Sequence, residues 1–155
     1  MSESIYRRAR RAVVEALYEA DTSNHDPEVA LHQRLEAAAE EDERLREKKP
    51  ARFALTALRG IMAEREALDR RIGGAASQHP VETLAVIDRN VLRLAIWELL
   101  SDNSAPVGAV VNEAVELVRL YGGETSPGFV NGVLRTISEQ ILAERQVTEG
   151  SPEIR

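Results

Sequence analysis

The sequence predicts an all-α protein, and three observations carry that prediction. Ala, Leu, Glu and Arg are abundant while aromatic residues make up only 4% of the chain, a composition that favours helices. Apolar residues recur at three- and four-residue steps along several segments, the spacing of one helical face. Gly, Pro, Asp and Ser gather where one such pattern stops and the next begins. With 155 residues, 43% hydrophobic and 30% charged, the chain is long enough for one domain or two small helical halves sharing a core.

The first helix is expected over 4–20. At about 100° per residue, Ile5, Ala9, Ala12, Val13, Ala16, Leu17 and Ala20 form the core stripe. Arg7, Arg11 and Tyr18 fall on the opposite side, Arg8 flanks them, and Arg10 lies at the boundary. Residues 21–27 read as a loop ending in an Asp26-Pro27 helix start. A second, weakly apolar helix follows to about Lys48, ended by Pro50. Phe53, Ala57, Ile61, Leu68 and Ile72 predict a third helix over 51–72, closed by Gly73-Gly74. These three make an N-terminal unit, residues 1–74.

The C-terminal unit is expected over 75–145. Residues 80–101, the most apolar stretch, read as a short helix, a bend near Ile87-Asp88 with Asp88 as cap, and a central buried helix. Arg93 and Glu98 within it require partners if buried, and Glu113 suits Arg93. After a loop at 102–106, Val107–Tyr121 reads as a helix, and the last helix begins at Pro127 and fades near Ala143. Residues 146–155 read as a disordered tail.

Between those last two helices, residues 122–135 condense a helix stop, a tight loop and a helix start. Gly122 and Gly123 suit a left-handed helix end, and Ser126-Pro127 reads as an N-cap followed by a residue preset for the first turn. Phe129 then stands in that first turn. Two readings of it remain: an aromatic ring at the surface, beside outward-pointing N–H groups, that suits an RNA base and its phosphate, or a core residue packed under the loop.

No catalytic constellation emerges. Without cysteine, disulfides, thiolate metal sites and thiol nucleophiles are excluded. His25, His32 and His79 lack metal-ligand spacing. There is no P-loop, dinucleotide-binding glycine pattern or nucleophile elbow, so the chain reads as no enzyme and needs no cofactor or metal. No apolar run is long enough to span a membrane and no signal-peptide core is present, which places the protein in the cytoplasm.

Net charge is −6, which argues against non-specific nucleic-acid binding through overall charge. The distribution is uneven. Arg7, Arg8, Arg10 and Arg11 crowd the first helix, whereas residues 26–47 carry eight acids against three arginines. An arginine face with a tyrosine one turn on suits phosphates and stacked bases. It is also compatible with a merely solvated face. A membrane-surface helix fits less well, because the apolar side is mostly Ala.

Four segments together carry a resemblance: Arg-Arg-Ala-Arg-Arg…Ala-Leu-Tyr at 7–18, Ile-Asp-Arg-Asn-Val-Leu-Arg-Leu-Ala-Ile-Trp-Glu-Leu at 87–99, Val-Val-Asn-Glu-Ala-Val-Glu-Leu at 110–117 and Phe-Val-Asn-Gly-Val-Leu at 129–134. In order and spacing they resemble the NusB family of bacterial transcription antitermination factors. The resemblance implies an all-helical bundle of two subdomains, about seven helices in all. It implies that the chain pairs with NusE, a small-subunit ribosomal protein. The pair would bind boxA RNA and join the RNA polymerase elongation complex to suppress termination, chiefly in ribosomal RNA operons.

Carried onto matching positions, the resemblance puts RNA contacts at Arg7, Arg8, Arg10, Arg11, Tyr18, Glu124, Ser126, Phe129 and Asn131. It puts NusE contacts at Glu82 and Asp88, an acidic edge suited to a basic partner. Two departures stand out: Gly128 where many members have a basic residue, and Thr125 where they have an acid. Losing that positive charge predicts weaker intrinsic RNA affinity and weaker salt dependence. The acidic second helix matches no family motif. Some members form a homodimer through the RNA face, and RNA cytosine methyltransferases carry a similar domain ahead of a catalytic one. The chain is read as free-standing, with a helical adaptor that does not bind RNA as the rival.

Overall fold

A computed structural model describes residues 4–101, 105–121 and 123–150, with side chains through Val147. Among these residues the order is α1 (Ile5–Thr22), α2 (Pro27–Glu41), a 3₁₀ turn at Glu43–Arg46, α3 (Lys48–Ala63), α4 (Arg65–Ala75), a 3₁₀ turn at Val81–Thr83, α5 (Val86–Leu100), α6 (Val107–Leu120) and α7 (Ser126–Gly150). The all-α expectation holds, with seven α-helices and no strand among the described residues.

α5 is the axis of the molecule. It packs on α1, α3, α4, α6 and α7 and buries Val91, Leu92, Leu94, Ala95, Ile96 and Leu99, each large side chain worth about 1.5–3 kcal/mol when withdrawn from water. A helix apolar on nearly every side must be surrounded. α1 packs on α2, α3 and α5, and its small residues Ala9, Ala12 and Ala16 are all buried. α3 approaches α5 so closely that a Cβ on Gly60 would run into the Trp97 indole. One apolar cluster runs through all seven helices.

Several boundaries differ from the expectation, each for a local reason. α2 does start at the Asp26-Pro27 signal, with the Asp26 carboxylate accepting from the Val29 N–H at 3.0 Å. It ends at Glu41 rather than Lys48, because Asp42 turns its carboxylate onto the Arg44 N–H and guanidinium and starts a 3₁₀ turn. Pro50 does not stop a helix. It sits buried in the first turn of α3, where its missing N–H costs nothing.

The expected third helix is two helices, α3 and α4, broken at Glu64 (φ −102°, ψ 12°). Gly73 and Gly74 lie inside α4, which closes at Ala76. The expected short helix before the central one is only the turn at Val81–Thr83. Ala85, not Asp88, takes the cap position of α5. α7 runs seven residues past Ala143 to Gly150. Glu144 pairs with Arg71 of α4, and Arg145 donates to the Leu99 carbonyl at the end of α5 at 2.6 Å. The first part of the supposed tail is therefore helical, and 151–155 lie outside the described residues, as does Gly122.

Arg93 does not meet Glu113. Its guanidinium forks onto Asp69 of α4 at 2.8 and 2.9 Å and donates to Asp21 of α1 at 3.0 Å and to Asn90 at 2.9 Å. Asp21, expected in a loop, belongs to the last turn of α1 and also accepts from Arg65, Arg89 and Asn90. Burial alone would push the Asp21 carboxyl up. The Asn90 hydrogen bond and the Arg93, Arg89 and Arg65 charges outweigh it and hold the group below its ordinary value.

Candidate nucleic-acid interface

The arginine face of α1 is not the plain solvent face that helical geometry suggested. Val14 falls about 20° from Arg7 and about 40° from Tyr18, on the basis of about 100° per residue, yet it is fully buried. The stripe is bordered on one side by α2 and on the other by α6, and each border supplies carboxylates. Arg7 forks onto Glu113 of α6 at 3.0 and 2.8 Å, and that hydrogen bonding holds Glu113 below the usual carboxylate range. Arg8 reaches Glu41 of α2 at 3.4 Å.

Arg10 is built into the core margin. It makes three hydrogen bonds to the buried Glu98, the shortest 2.8 Å, and its guanidinium carbon lies 5.1 Å from the Phe53 ring centroid. Tyr6 meets the edge of the same ring. Arg11 interacts with Tyr121, whose hydroxyl donates to Glu15 at 3.2 Å. Burial, followed by the Glu15 charge, pushes the Tyr121 phenol up to about 12, so it stays protonated and donating.

Tyr18 is 42% exposed at the rim of a cavity of about 280 Å³. Val118 of α6 and Tyr121 just past its end, Ile87 and Asp88 of α5, and Ser126 supply the facing walls. The loop before α7 is drawn onto that cavity by Ser126. Thr125 takes the cap position, its carbonyl accepting from the Phe129 N–H at 3.1 Å, and Ser126 instead donates to Asp88 Oδ2 at 2.9 Å. Both are buried. Burial pushes the Asp88 carboxyl up and the Ser126 bond only partly counters it. A Cβ on Gly123 would stand 2.5 Å from Ser126 Oγ, so glycine is what lets the loop close this tightly.

The sequence-predicted residues therefore do not form one cluster. Arg7, Arg8 and Arg11 line one ridge with Tyr18, and Glu124 is exposed on the adjoining loop. Phe129 is half-buried against the core, its ring edge-on to exposed His79 with centroids 6.0 Å apart, which combines parts of both readings. Asn131 faces elsewhere, into a groove of about 660 Å³ between α6 and α7 that Gly128 also lines. Glu82 is exposed in its 3₁₀ turn, whereas Asp88 is engaged inside.

Sequence reasoning missed Tyr121 and Arg34, and it gave Glu113 to Arg93 rather than to Arg7. Arg34 of α2 joins Arg8 and Arg11 around a small recess between α1 and α2 and pairs with Glu19. Only the packing of α2 and α6 against α1 brings these three to the ridge. No group of three or more His, Asp or Glu that could hold a metal ion occurs among the described residues, and no described helix is long and apolar enough to cross a membrane.

The NusB family model matches residues 7–139. A transcription antitermination protein NusB of Dehalococcoides mccartyi is 40% identical over 135 residues, 87% of this chain and 90% of that protein. The corresponding protein of Chloroflexus aggregans is 39% identical over 144 residues, 92% of each. Among solved structures, T. maritima NusB superposes with a TM-score of 0.78 at 35% identity, over 90% of this chain and 94% of that one. A chain from a crystal structure of antitermination factors NusB and NusE in complex with dsRNA superposes with a TM-score of 0.75 at 26% identity, over 88% of this chain and 97% of that one.

Proposed function

The chain belongs to the NusB family, and from that premise we propose that it is an RNA-binding transcription antitermination factor. It pairs with NusE, binds boxA RNA, and acts in the cytoplasm on the RNA polymerase elongation complex to suppress termination, chiefly in ribosomal RNA operons. The observation that supports this reading is the continuity of one surface. The Arg7–Arg11 ridge leads directly to an exposed Tyr18, and Tyr18 borders a cavity that the loop before α7 helps to close. Cations for the backbone and an aromatic plane for a base thus lie side by side.

In this reading Arg7, Arg8 and Arg11 take phosphates and Tyr18 stacks on a base, while Glu124 and Phe129 border the path and Asn131, in the groove between α6 and α7, lies off it. Arg10 and Ser126 act indirectly, by fixing α1 on α5 and the loop on Asp88. Exposed Glu82 faces NusE. Gly128 and Thr125 leave the loop without its usual charges, so binding leans on NusE. One observation favours the rival helical adaptor: carboxylates already occupy Arg7, Arg8 and Arg10.

Titration of a fluorescent boxA-like RNA and a scrambled control, with and without NusE and at two salt concentrations, separates the two. The antitermination reading expects selective binding that NusE strengthens and that an Arg7→Ala, Arg11→Ala, Tyr18→Ala variant loses while remaining helical. Equal binding of both RNAs, or none with NusE present, leaves the adaptor.

A further inference from the structure

We propose that the cavity between Tyr18 and Tyr121 is a slot for one unstacked RNA base bearing an exocyclic amino group (cytosine, adenine or guanine), which Asp88 reads. The proposal rests on the RNA-binding reading above and adds what that reading leaves open: which part of the nucleotide enters, and which bases are preferred.

Size comes first. About 280 Å³ lies just under the range of roughly 300–1,000 Å³ that holds small organic ligands, room for a single base but not for a duplex edge. The walls suit a flat aromatic ring. Tyr18 offers an exposed phenol, and Ile87 and Val118 offer apolar sides. The Tyr121 ring is held in place by its hydroxyl bond to Glu15, so ordering it costs little when a base arrives. Single-stranded RNA is recognised by such splayed, stacked bases.

Charge then decides the orientation. A phosphate entering the slot would meet the Asp88 carboxylate, with Glu15 behind Tyr121. Outside it, Arg7, Arg8 and Arg11 supply the cations. The backbone therefore stays on the ridge and the base turns inward. Asp88 spends Oδ2 on the Ser126 hydroxyl, and a carboxylate has roughly four lone-pair sites across its two oxygens, so acceptor capacity remains. It suits the amino groups of cytosine, adenine and guanine. Uracil has no amino group, and its single N–H on that edge lies between two carbonyl oxygens whose lone pairs face those of the carboxylate, so it binds more weakly.

The test uses the full chain and the boxA-like RNA of the preceding titration. Each nucleotide in turn is replaced by an abasic residue, and affinity is read by fluorescence anisotropy for the wild type and for Tyr18→Ala, an exposed position whose change leaves the core intact. One position is expected to lose about tenfold in the wild type and little further in Tyr18→Ala. At that position uracil binds more weakly than the amino-bearing bases, and Asp88→Asn, which can also donate, narrows that gap. Tyr121→Leu, scored on the same position, gives a second route should Asp88→Asn fail to fold. RNA binding with no single position coupled to Tyr18 or Tyr121, or with uracil equal to the amino-bearing bases there, overturns the slot and leaves the RNA-binding reading standing. Absence of RNA binding by the wild type overturns both.

Discussion

Two arginine–carboxylate networks flank α1, and they differ in one property. At its C-terminal end Arg93 and Asp21 are each 4% exposed at the side chain, and their hydrogen bonds tie α1 to α4 and α5. At its N-terminal end exposure is graded, from Arg10–Glu98 (16% and 3%) through Arg7–Glu113 (33% and 24%) to Arg8–Glu41 (24% and 76%). The residue chemistry is the same. What changes is how much water competes for the charges, and therefore whether a carboxylate can be exchanged for a phosphate. A buried pair is costly to break because its abandoned partner is left in low dielectric, whereas an exposed pair is nearly neutral.

The largest expected effect breaks the buried network. Arg93→Met takes the guanidinium fork from Asp69 and one of three arginines from Asp21, which keeps Arg65, Arg89 and Asn90. It should destabilise the fold by about 3 kcal/mol, the low end for breaking a buried pair, read as a lower urea midpoint. RNA affinity of the folded fraction should be unchanged. If the midpoint holds, the two networks are energetically alike and the contrast fails.

Acid sharpens the same contrast. Asp21 has a folded pKa below its ordinary 3.8, so its contribution is fully present above the ordinary carboxylate range and is lost as pH falls through the depressed value. Asp88 has the opposite sign. Its folded pKa is raised, so its ionisation opposes folding, and protonation on acidification relieves that. Stability measured against pH should fall below about pH 4, and Arg93→Met should flatten the fall. A pH profile identical in wild type and variant would remove Asp21 from the account.

An intermediate case lies at Arg7. Glu113→Gln keeps the shape of the fork but removes the charge that competes with phosphate. Stability should change by about 1 kcal/mol or less, since the pair is partly exposed. RNA should bind on the order of threefold more tightly, the difference between a charged and a neutral hydrogen-bond partner. Weaker binding would mean that Glu113 presents Arg7 to RNA rather than withholding it.

Local signals and long-range ones were not equally legible in the sequence. The helical class, the Asp26-Pro27 start and the buried face of α5 were readable, because periodicity and caps are written within a few residues. Pro50 misled because proline is as much at home in a first turn as after a last one, and only the chain before it distinguishes the two. The arginine face of α1 read as lying opposite a single core stripe, because one-sided helical geometry assumes one packing partner, and α1 has several. Arg93 was seen to need a partner, but its acids lie 24 and 72 residues away, and no spacing rule reaches that far. At the candidate site, Tyr18 and the loop were legible from composition and resemblance. That Ser126 is tied to Asp88, and that Tyr121 completes the wall, depended on how α5, α6 and α7 meet.

The smallest effect is expected at the most exposed pair, and it is the sharpest test of whether exposure sets the role. Glu41 is 76% exposed and holds Arg8 at 3.4 Å, so Glu41→Ala should shift stability by less than about 0.5 kcal/mol. Arg8→Ala should be just as quiet in the urea midpoint. In RNA binding the two should part. Each phosphate contact on a single strand contributes about 0.7 to the slope of log affinity against log salt, so Arg8→Ala should lower that slope by about 0.7 whereas Glu41→Ala leaves it in place. Should Arg8→Ala leave the slope intact, the exposed end of the gradient is a solvated ion pair like most, and phosphate contact narrows to Arg7 and Arg11, the arginines in line with Tyr18.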